Sequence, residues 1–229
     1  MKGKRAHFRR FYTNSSALTY PVPPPATLQG LLGAALGLGR EYREKLTGLF
    51  LAARPRAPMR TLFQTVNHLF LKSGTLEEIR GLYKEGRTQI PVQYLVGEGE
   101  GPVAFEVFVG AEGRLVEDIA KALENPVFPL ALGPAYALAW VEGVEFLEAE
   151  LKPSWDGEGI GWWEAEKLEL YPSQDVRLYR DRFPIALEPD RRPKAVKEIA
   201  LELRGEPLKV RYRGEVLVCP GLAIGVLRV

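Results

Sequence analysis

The sequence predicts an α+β protein with a strand-rich C-terminal region, and three observations support this fold class. Short runs of β-branched and aromatic residues, bounded by turn residues, recur along the chain. Two other stretches have the apolar spacing of helices. The 229 residues, 46% of them hydrophobic and 26% charged, have the composition of a globular protein that is long enough to bury a full core.

The first predicted elements are a strand and a helix. Residues 4–11 mix basic residues with strand formers and predict a strand, which a polar loop at 12–16 follows. Four prolines among residues 21–25 then hold the chain extended. Thr27 is expected at or near the N-cap of a helix over residues 28–38.

Three glycines of this helix, Gly30, Gly33 and Gly37, fall at helical spacing and leave one side nearly bare. Glycine in a helix costs about 1 kcal/mol relative to alanine, so the three together cost about 3 kcal/mol. We therefore expect a strand or a second helix to pack closely against this side.

The later elements are predicted by the same criteria. Residues 114–123 predict an amphipathic helix with Leu115 and Ile119 on its apolar face. Residues 208–218 predict a hairpin that turns near Gly214. Further strands are predicted at residues 54–70, 89–96, 103–109, 134–141, 144–151, 165–171, 194–203 and 224–228.

The order strand, helix, strand, strand, helix, strand predicts a ferredoxin-like (RRM-like) βαββαβ domain. This domain would occupy residues 1–142, and a β-rich region would occupy residues 143–229.

Charge is segregated along the chain although the net charge is only +2. Residues 1–97 hold 15 Lys and Arg against 5 Asp and Glu, and residues 98–170 hold 4 against 16. Residues 171–229 hold 12 against 8, so the three segments carry +10, −12 and +4. The basic segment predicts a polyanion-binding face. The alternative is that folding interleaves the basic and acidic segments, so that their charges offset each other over the surface.

Cysteine and histidine are scarce, which limits the available chemistry. Cys219 is the one cysteine and lies in a strand-like run, so we expect it in the core, with no disulfide framework. His7 and His68 are the only histidines, and we expect no metal and no cofactor. No apolar run is long enough to span a membrane, and no signal-peptide core follows the N-terminus, so we expect a cytoplasmic protein.

The N-terminal block has a recognisable pattern. Phe8-Arg9-Arg10-Phe11 is followed by a polar loop, by Leu18-Thr19-Tyr20-Pro21, and by a proline run that enters the glycine-containing helix. This block resembles the N-terminal signature of the fifth CRISPR-associated protein family, in the RAMP superfamily of type I systems. Residues 87–91, 129–133, 181–184 and 191–192 resemble further family marks, whereas the family's C-terminal glycine-rich loop is faint at residues 219–225.

The resemblance implies a non-catalytic subunit of Cascade, the effector complex of this antiviral defence. Such a subunit binds CRISPR RNA (crRNA) at its 5′ handle and contacts the repeated backbone subunit and the large subunit. Target DNA near the protospacer-adjacent motif is a further implied contact. A thumb-like insertion between the second and third core strands would lie near residues 66–89.

Gripping single-stranded RNA requires cations for phosphates, planar groups for stacking, and amides or hydroxyls for base edges and 2′-OH groups. Thr27 has two readings, as a helix cap or as part of a phosphate seat at the helix N-terminus. Arg9 and Arg10 cannot both point to one face of a strand. The candidate RNA-binding residues are Arg5, Arg9, Arg10, Tyr12, Asn14, Ser15, Tyr20, Thr27, Gln29, Gln64, Asn67, His68, Lys72 and Arg87.

The alternative function is a metal-independent endoribonuclease that processes precursor crRNA. Cleavage by the 2′-OH requires a base, an acid and a cation within reach of the scissile group. His7 and His68 could supply the first two, with Lys72 and Tyr83 as helpers, but their local context does not match the arrangement of the processing relatives. We therefore expect no catalytic residues.

Overall fold

A computed structural model describes residues 1–14, 16–69, 75–80, 87–172 and 175–229. The fold is α+β with mostly strands, as the sequence predicts. None of the described helices is long and apolar enough to cross a membrane. The helices are α1 (Pro25–Ala35), α2 (Tyr42–Lys45), α3 (Leu76–Ile79) and α4 (Leu115–Glu124), with one 3-10 turn at Ala165–Lys167.

The strands of the N-terminal part are β1 (Lys2–Gly3), β2 (Arg5–Ala6), β3 (Phe50–Pro55), β4 (Met59–Leu69), β5 (Arg87–Gly97), β6 (Val103–Gly110) and β7 (Ala139–Trp140). Those of the C-terminal part are β8 (Glu150–Lys152), β9 (Trp155–Gly161), β10 (Trp163–Glu164), β11 (Leu168–Leu170), β12 (Leu178–Leu187), β13 (Pro193–Glu202), β14 (Leu208–Tyr212), β15 (Val216–Cys219), β16 (Leu222–Gly225) and β17 (Leu227–Arg228).

The first sheet has the order β17-β3-β6-β1-β7, and every neighbouring pair in it is antiparallel. In chain order α1 lies between β1 and β3, and α4 lies between β6 and β7. The two helices meet through Leu31 and Ala35 of α1 and Ala122 and Leu123 of α4.

A long hairpin, β4–β5, lies in the chain between β3 and β6 and pairs without a bulge from Met59 opposite Gly97 to Leu69 opposite Arg87. Strand β2 adds to the other edge of β5, with Arg5 opposite Val96. The predicted thumb-like insertion near residues 66–89 falls between the outer bounds of this hairpin, residues 59 and 97, and its extent stays a prediction.

The C-terminal part contains a sheet with the order β11-β14-β9-β16-β15-β8 and a second with the order β10-β13-β12. The predicted hairpin over residues 208–218 is wrong, because β14 pairs with β9 and β11 whereas β15 pairs with β16 and β8. The strand predicted at 144–151 is also mostly wrong, since only its last residues belong to β8. Strand β12 was not predicted.

One hydrophobic core joins the two parts. It includes Leu28 and Leu32 of α1 and Phe105 of β6, together with Trp162 and Phe183 from the C-terminal part. The predicted boundary near residue 142 therefore lies in a continuously packed molecule, and the division into two regions stays a prediction. Cys219 is buried, which confirms its predicted place in the core.

The prediction that Thr27 caps the helix is wrong. Helix α1 begins two residues earlier, at Pro25, and its N-cap is Pro24. Proline suits this first helical position because its fixed φ matches the helix and its missing N–H would have no partner there. The backbone N–H of Thr27 donates to the carbonyl of Pro24, so Thr27 lies inside the first turn.

Gly30 and Gly33 of α1 do receive a second helix, as predicted, whereas Gly37 lies beyond the end of α1 and was wrongly placed in it. A Cβ on Gly33 would lie 2.6 Å from Cβ of Tyr42, whereas a Cβ on Gly30 would lie 3.6 Å from the Tyr42 hydroxyl oxygen. The first distance is a clash with an atom close to the backbone, and the second is an ordinary contact.

We predict that Gly33→Ala destabilises the protein by about 1–3 kcal/mol, because α1 and α2 must move apart. The matched control is Gly30→Ala, which should be neutral or stabilising by up to about 1 kcal/mol through helix propensity. Denaturant unfolding of both variants checks this pair. Equal effects of the two substitutions would contradict the close approach at Gly33.

Candidate nucleic-acid interface

One face of the β2–β5–β4 sheet collects several of the predicted RNA-binding residues. Side chains alternate along a strand, and the uninterrupted register places Arg60, Gln64 and His68 on the same side of β4. Arg5 and Arg60 both lie opposite Val96, from the two sides of β5. We call this side, with Arg5, Arg60, Leu62, Gln64, Val66 and His68, the basic face.

The floor of the basic face is apolar. Tyr94 and Val92 of β5 are buried there beside Ala17, and Val66, Ile90 and Val96 pack against them. Arg60, Leu62, Gln64 and His68 on β4 are exposed. The result is a strip of planar and aliphatic groups with polar and cationic side chains along its outer strand.

Two arginines of the basic face are not neutralised by the protein itself. Within the described residues, neither Arg5 nor Arg60 lies within ion-pair distance of a carboxylate. The Arg5 guanidinium instead lies over the ring of Tyr94, 5.8 Å from its centroid. Sequence reasoning missed Arg60, although it is exposed like the chosen arginines Arg5 and Arg9.

Tyr94 is held by a second tyrosine. Its hydroxyl is 2.6 Å from the hydroxyl of Tyr136, which is 60% exposed and forms part of the surface. Burial and this hydrogen bond raise the pKa of Tyr94 to about 12, so the phenol stays neutral beside Arg5. Neither tyrosine was predicted, because tertiary packing decides that Tyr94 is buried and that Tyr136 is exposed.

Asn67 lies on the opposite side of β4 from Gln64 and His68. Its neighbours on that side include Phe63, which is 55% exposed. The structure therefore does not bring Asn67 together with the basic face, and an RNA contact at this exposed residue stays a prediction. Arg87 begins β5. Ser15 and Lys72 lie outside the described residues, as does Tyr83.

The loop after β2 continues from the edge of β5. Ala17 donates its backbone N–H to Pro91 and accepts from the N–H of Gln93, which fixes the end of the loop beside this strand. Arg9 and Asn14 in the loop are exposed. These two candidates are therefore accessible to a ligand that follows β5.

Arg10 and Tyr12 are engaged by the protein itself. Asp181 of β12 accepts hydrogen bonds from the hydroxyls of Tyr12 at 2.7 Å and Tyr179 at 2.5 Å, and it lies 3.4 Å from Nη1 of Arg10. Arg10 also donates to the carbonyl of Thr19 at 3.1 Å. We correct the prediction for Arg10, whose guanidinium holds the loop against β12.

Arg182, beside this cluster, was not among the predicted contacts. Its guanidinium lies 5.7 Å from the ring centroid of Phe11 and 5.0 Å from that of Tyr12. Phe11 and Tyr12 are each more than one-third exposed. An exposed arginine against two aromatic rings presents the cation and the planar groups that a nucleotide would contact.

Two further candidates belong to the core. Tyr20 has no exposed surface, its ring stacks on Phe183 at 4.5 Å, and its hydroxyl donates to the carbonyl of Arg182 at 2.6 Å. Gln29 is buried, and its amide donates to the carbonyl of Leu46 at 3.1 Å. Both predictions are corrected, because these polar groups are already satisfied inside the protein.

Thr27 is half-buried in the first turn of α1. Its hydroxyl has no described hydrogen bond, and Pro24 and Pro25, which form the start of the helix, are buried. A phosphate seat at this helix end is therefore not supported.

The two histidines lie in different environments. His7 is 7% exposed, and its Nδ1 is 2.7 Å from the carbonyl oxygen of Gln93. His68 is exposed and lies opposite Thr88, five residues along β5 from Gln93. Five strand residues span about 16 Å, which separates the two rings too far for joint acid–base work on one phosphate.

The acidic middle of the sequence reaches part of the basic segment. Lys2 pairs with Glu142 at 2.5 Å, and Arg54 pairs with Glu106 at 2.6 Å. Folding therefore interleaves some of the charge. Among the described residues, Lys4, Arg5, Arg9 and Arg60 form no such pair and lie exposed around the β2–β5–β4 sheet and its loop.

The described residues contain no group of three or more His, Cys, Asp or Glu side chains arranged to hold a metal ion. The arrangement at the basic face instead suits ionic and stacking contacts with a polyanion.

A family model described as "CRISPR-associated protein (Cas_Cas5)" matches residues 1–188 of this chain. A solved chain described as "CRISPR RNA-guided surveillance complex" is 16% identical with a TM-score of 0.48, and 88% of each chain is covered. Another, described as "Crystal structure of Cas protein", is 20% identical with a TM-score of 0.41 and covers 96% of this chain and 92% of its own. Among curated proteins, none matches this chain.

We predict a pH dependence of stability that originates at His7. Burial lowers the pKa of His7 below its ordinary value of 6.5. On acidification the unfolded chain therefore takes up a proton at His7 more readily than the folded chain does. The stability associated with a neutral His7 is present above about pH 6.5 and is lost as the pH falls through the pKa of the folded state. In His7→Asn, an amide nitrogen can replace Nδ1 without titrating.

The measurement is the denaturant midpoint between about pH 7.5 and 5.5. The wild type should lose more stability on acidification than His7→Asn. His68→Asn is the matched control for the loss of a histidine, since His68 is exposed and is the only other histidine in the sequence. If the denaturant midpoint of His7→Asn fell with pH as steeply as that of the wild type, the assignment of this pH dependence to His7 would be contradicted.

Proposed function

Because the chain belongs to the CRISPR-associated protein family described as Cas_Cas5, we propose that it is a non-catalytic subunit of a CRISPR surveillance complex that holds the 5′ handle of crRNA. The basic face is the proposed contact. The cytoplasm is the proposed location, and antiviral defence the proposed role.

We propose a ferredoxin-like core for the N-terminal part. Counting β1, β3, β6 and β7 as its four strands, the observed order β3-β6-β1-β7 reads second, third, first, fourth, and all neighbours are antiparallel. Helices α1 and α4 follow the first and third of these strands in the chain. This order supports the βαββαβ arrangement, with β4–β5 as the inserted thumb.

The single observation that carries the RNA proposal is the pair of unneutralised arginines that lie on one face, across β5 from each other. Arg5 and Arg60 both lie opposite Val96, so they flank one point of the strip. Two such cations without a partner carboxylate favour a phosphate ligand over a neutral one.

The rest of the basic face suits a single strand. From Arg60 to His68 it extends eight strand residues, or about 27 Å, which accommodates several nucleotides. Gln64 can donate and accept at base edges or a 2′-OH, and His68 adds a planar group. The faint glycine-rich region at residues 219–225 is not needed for this contact.

We propose the repeated backbone subunit and the large subunit as protein partners, and target DNA near the protospacer-adjacent motif as a further neighbour. Membership of this family supports the proposal of these partners. The loop with Arg9 and the Arg182 pair with Phe11 extend the cationic surface beyond the basic face, and they offer room for a second stretch of nucleic acid.

We propose that cleavage of precursor RNA is left to other proteins. The supporting observation is the placement of the two histidines, about 16 Å apart along β5, with the His7 ring buried and bonded to a backbone carbonyl. No described feature favours the endoribonuclease alternative.

We predict that Arg5→Gln with Arg60→Gln weakens binding of a repeat-derived RNA oligonucleotide by at least about tenfold, because two phosphate contacts are lost. The slope of log Kd against log salt should also fall by about 1.4, which is about 0.7 for each contact to a single strand. Fluorescence anisotropy with the full chain, between about 50 and 200 mM salt, measures both quantities.

The matched control is Arg40→Gln with Arg114→Gln. These arginines are also exposed, the described residues offer them no ion pair, and the net charge changes equally. An equal loss of affinity in the control would show a general charge effect and contradict the proposed face. The same incubations in EDTA also test for cleavage of the RNA. Site-specific products that disappear in His68→Ala would overturn the proposal that the chain is non-catalytic, but they would not contradict the proposal that it binds RNA.

A further inference from the structure

The stretch between β7 and β8, residues 141–149, belongs to no helix or strand, and we call it the linking segment. It leaves β7, an edge of the first sheet, and enters β8, an edge of the six-stranded C-terminal sheet. Within the described part of the chain, no backbone–backbone hydrogen bond is made by the groups of residues 141–149. The backbone of the linking segment is thus unpaired within the described residues, and the segment connects two sheet edges.

The linking segment also exposes large apolar side chains. Phe146 is 63% exposed and Leu147 is 55% exposed. Trp140 before the segment and Leu151 after it are each 44% exposed. Exposed aromatic and aliphatic groups at this density mark an interaction surface more often than an ordinary surface strip.

A groove of about 480 Å³ lies alongside the segment. Residues 141–147 form one wall, and Leu31 of α1 and Leu123 of α4 are among the apolar residues that line the rest. The groove could receive one or two apolar side chains of a bound partner.

The charge of the linking segment is of one sign. It carries Glu142, Glu145 and Glu148 and no lysine or arginine, and Glu150 follows directly. Glu145 and Glu148 are exposed and form no ion pair with the described residues. These carboxylates repel phosphates, so RNA is not the occupant. A second copy would bring glutamates against glutamates, which is unfavourable across paired strands.

We propose that the linking segment is a docking site for another protein that presents an extended segment with lysine or arginine beside apolar side chains. The partner's backbone would pair with the free N–H and C=O groups of residues 141–149, in the manner of an added edge strand. Its cations would meet Glu145 and Glu148, and an apolar side chain would enter the groove. This surface is separate from the basic face.

The test uses the complex assembled by co-expressing the chain with the CRISPR-associated subunits encoded beside it. In Glu145→Lys with Glu148→Lys, one protein subunit should fall at least about tenfold in its ratio to this chain, while the crRNA ratio is unchanged. The matched control, Glu112→Lys with Glu166→Lys, also reverses two exposed glutamates that are free of described ion pairs, and it should keep every subunit.

Retention of every protein subunit by the double reversal would overturn the proposal. Loss of crRNA with all protein subunits kept would also overturn it, by making this segment a nucleic-acid contact. Failure of the RNA-affinity prediction for Arg5 and Arg60 would not contradict this proposal. That experiment measures binding of RNA, whereas this one measures the amount of each protein subunit in the complex.

Hydrogen exchange provides a second measurement that needs no variant. Backbone amides of residues 144–149 should exchange at least about tenfold more slowly in the complex than in the free chain. Unchanged exchange in the complex, or equal protection in a dimer of the free chain, would contradict a docked partner strand.

Discussion

The arrangement of the molecule depends on a short buried stretch, Ala6, His7 and Phe8, at the point where β2 leads into the loop after it. His7 donates its backbone N–H to Leu132 at 2.9 Å, and Nδ1 of its ring meets the carbonyl of Gln93 at 2.7 Å. A side chain on Gly133, whose φ is +109°, would overlap the His7 carbonyl, so glycine is required there. This buried stretch fixes Arg5 before it and the loop with Arg9 after it, so these two exposed cations lie on either side of it in the chain.

Folding neutralises only part of the charge, and the remainder leaves unpaired cations on the basic face and unpaired carboxylates in the linking segment. Some basic residues are neutralised by the acidic middle, as Arg54 is by Glu106. Arg5 and Arg60 stay unpaired among the described residues, and so do Glu145 and Glu148 in the linking segment. The proposed RNA-binding surface and the proposed docking surface would therefore carry opposite charges on a chain with a net charge of only +2.

Local patterns predicted the elements whose stability is local. The amphipathic spacing of Leu115 and Ile119 located α4, and the glycine spacing of α1 indicated the close approach of Tyr42. Strand pairing depends on distant segments, so β14 was assigned the wrong neighbour. Strand β12 was missed because exposed charged residues and a bulge after Pro184 interrupt its pattern.

The candidate site was predictable in its residue types and its region but not in its members. Tyr20 and Gln29 have the same polar groups as the surface candidates. Only the tertiary packing shows that these groups are hydrogen-bonded inside the core. Arg60 and Tyr94 were missed for the converse reason, since the β5 register that joins them to Arg5 spans distant parts of the sequence.

The most direct measurement of the central claim is photocrosslinking of crRNA in the assembled complex, with a photoreactive phenylalanine analogue placed in turn at residues 62, 63, 64 and 65 of β4. Leu62 and Gln64 lie on the basic face, and Phe63 and Thr65 lie on the other. Strand alternation predicts strong crosslinks at 62 and 64 and weak ones at 63 and 65. Equal yields at the four positions, or stronger crosslinks at 63 and 65, would contradict the account.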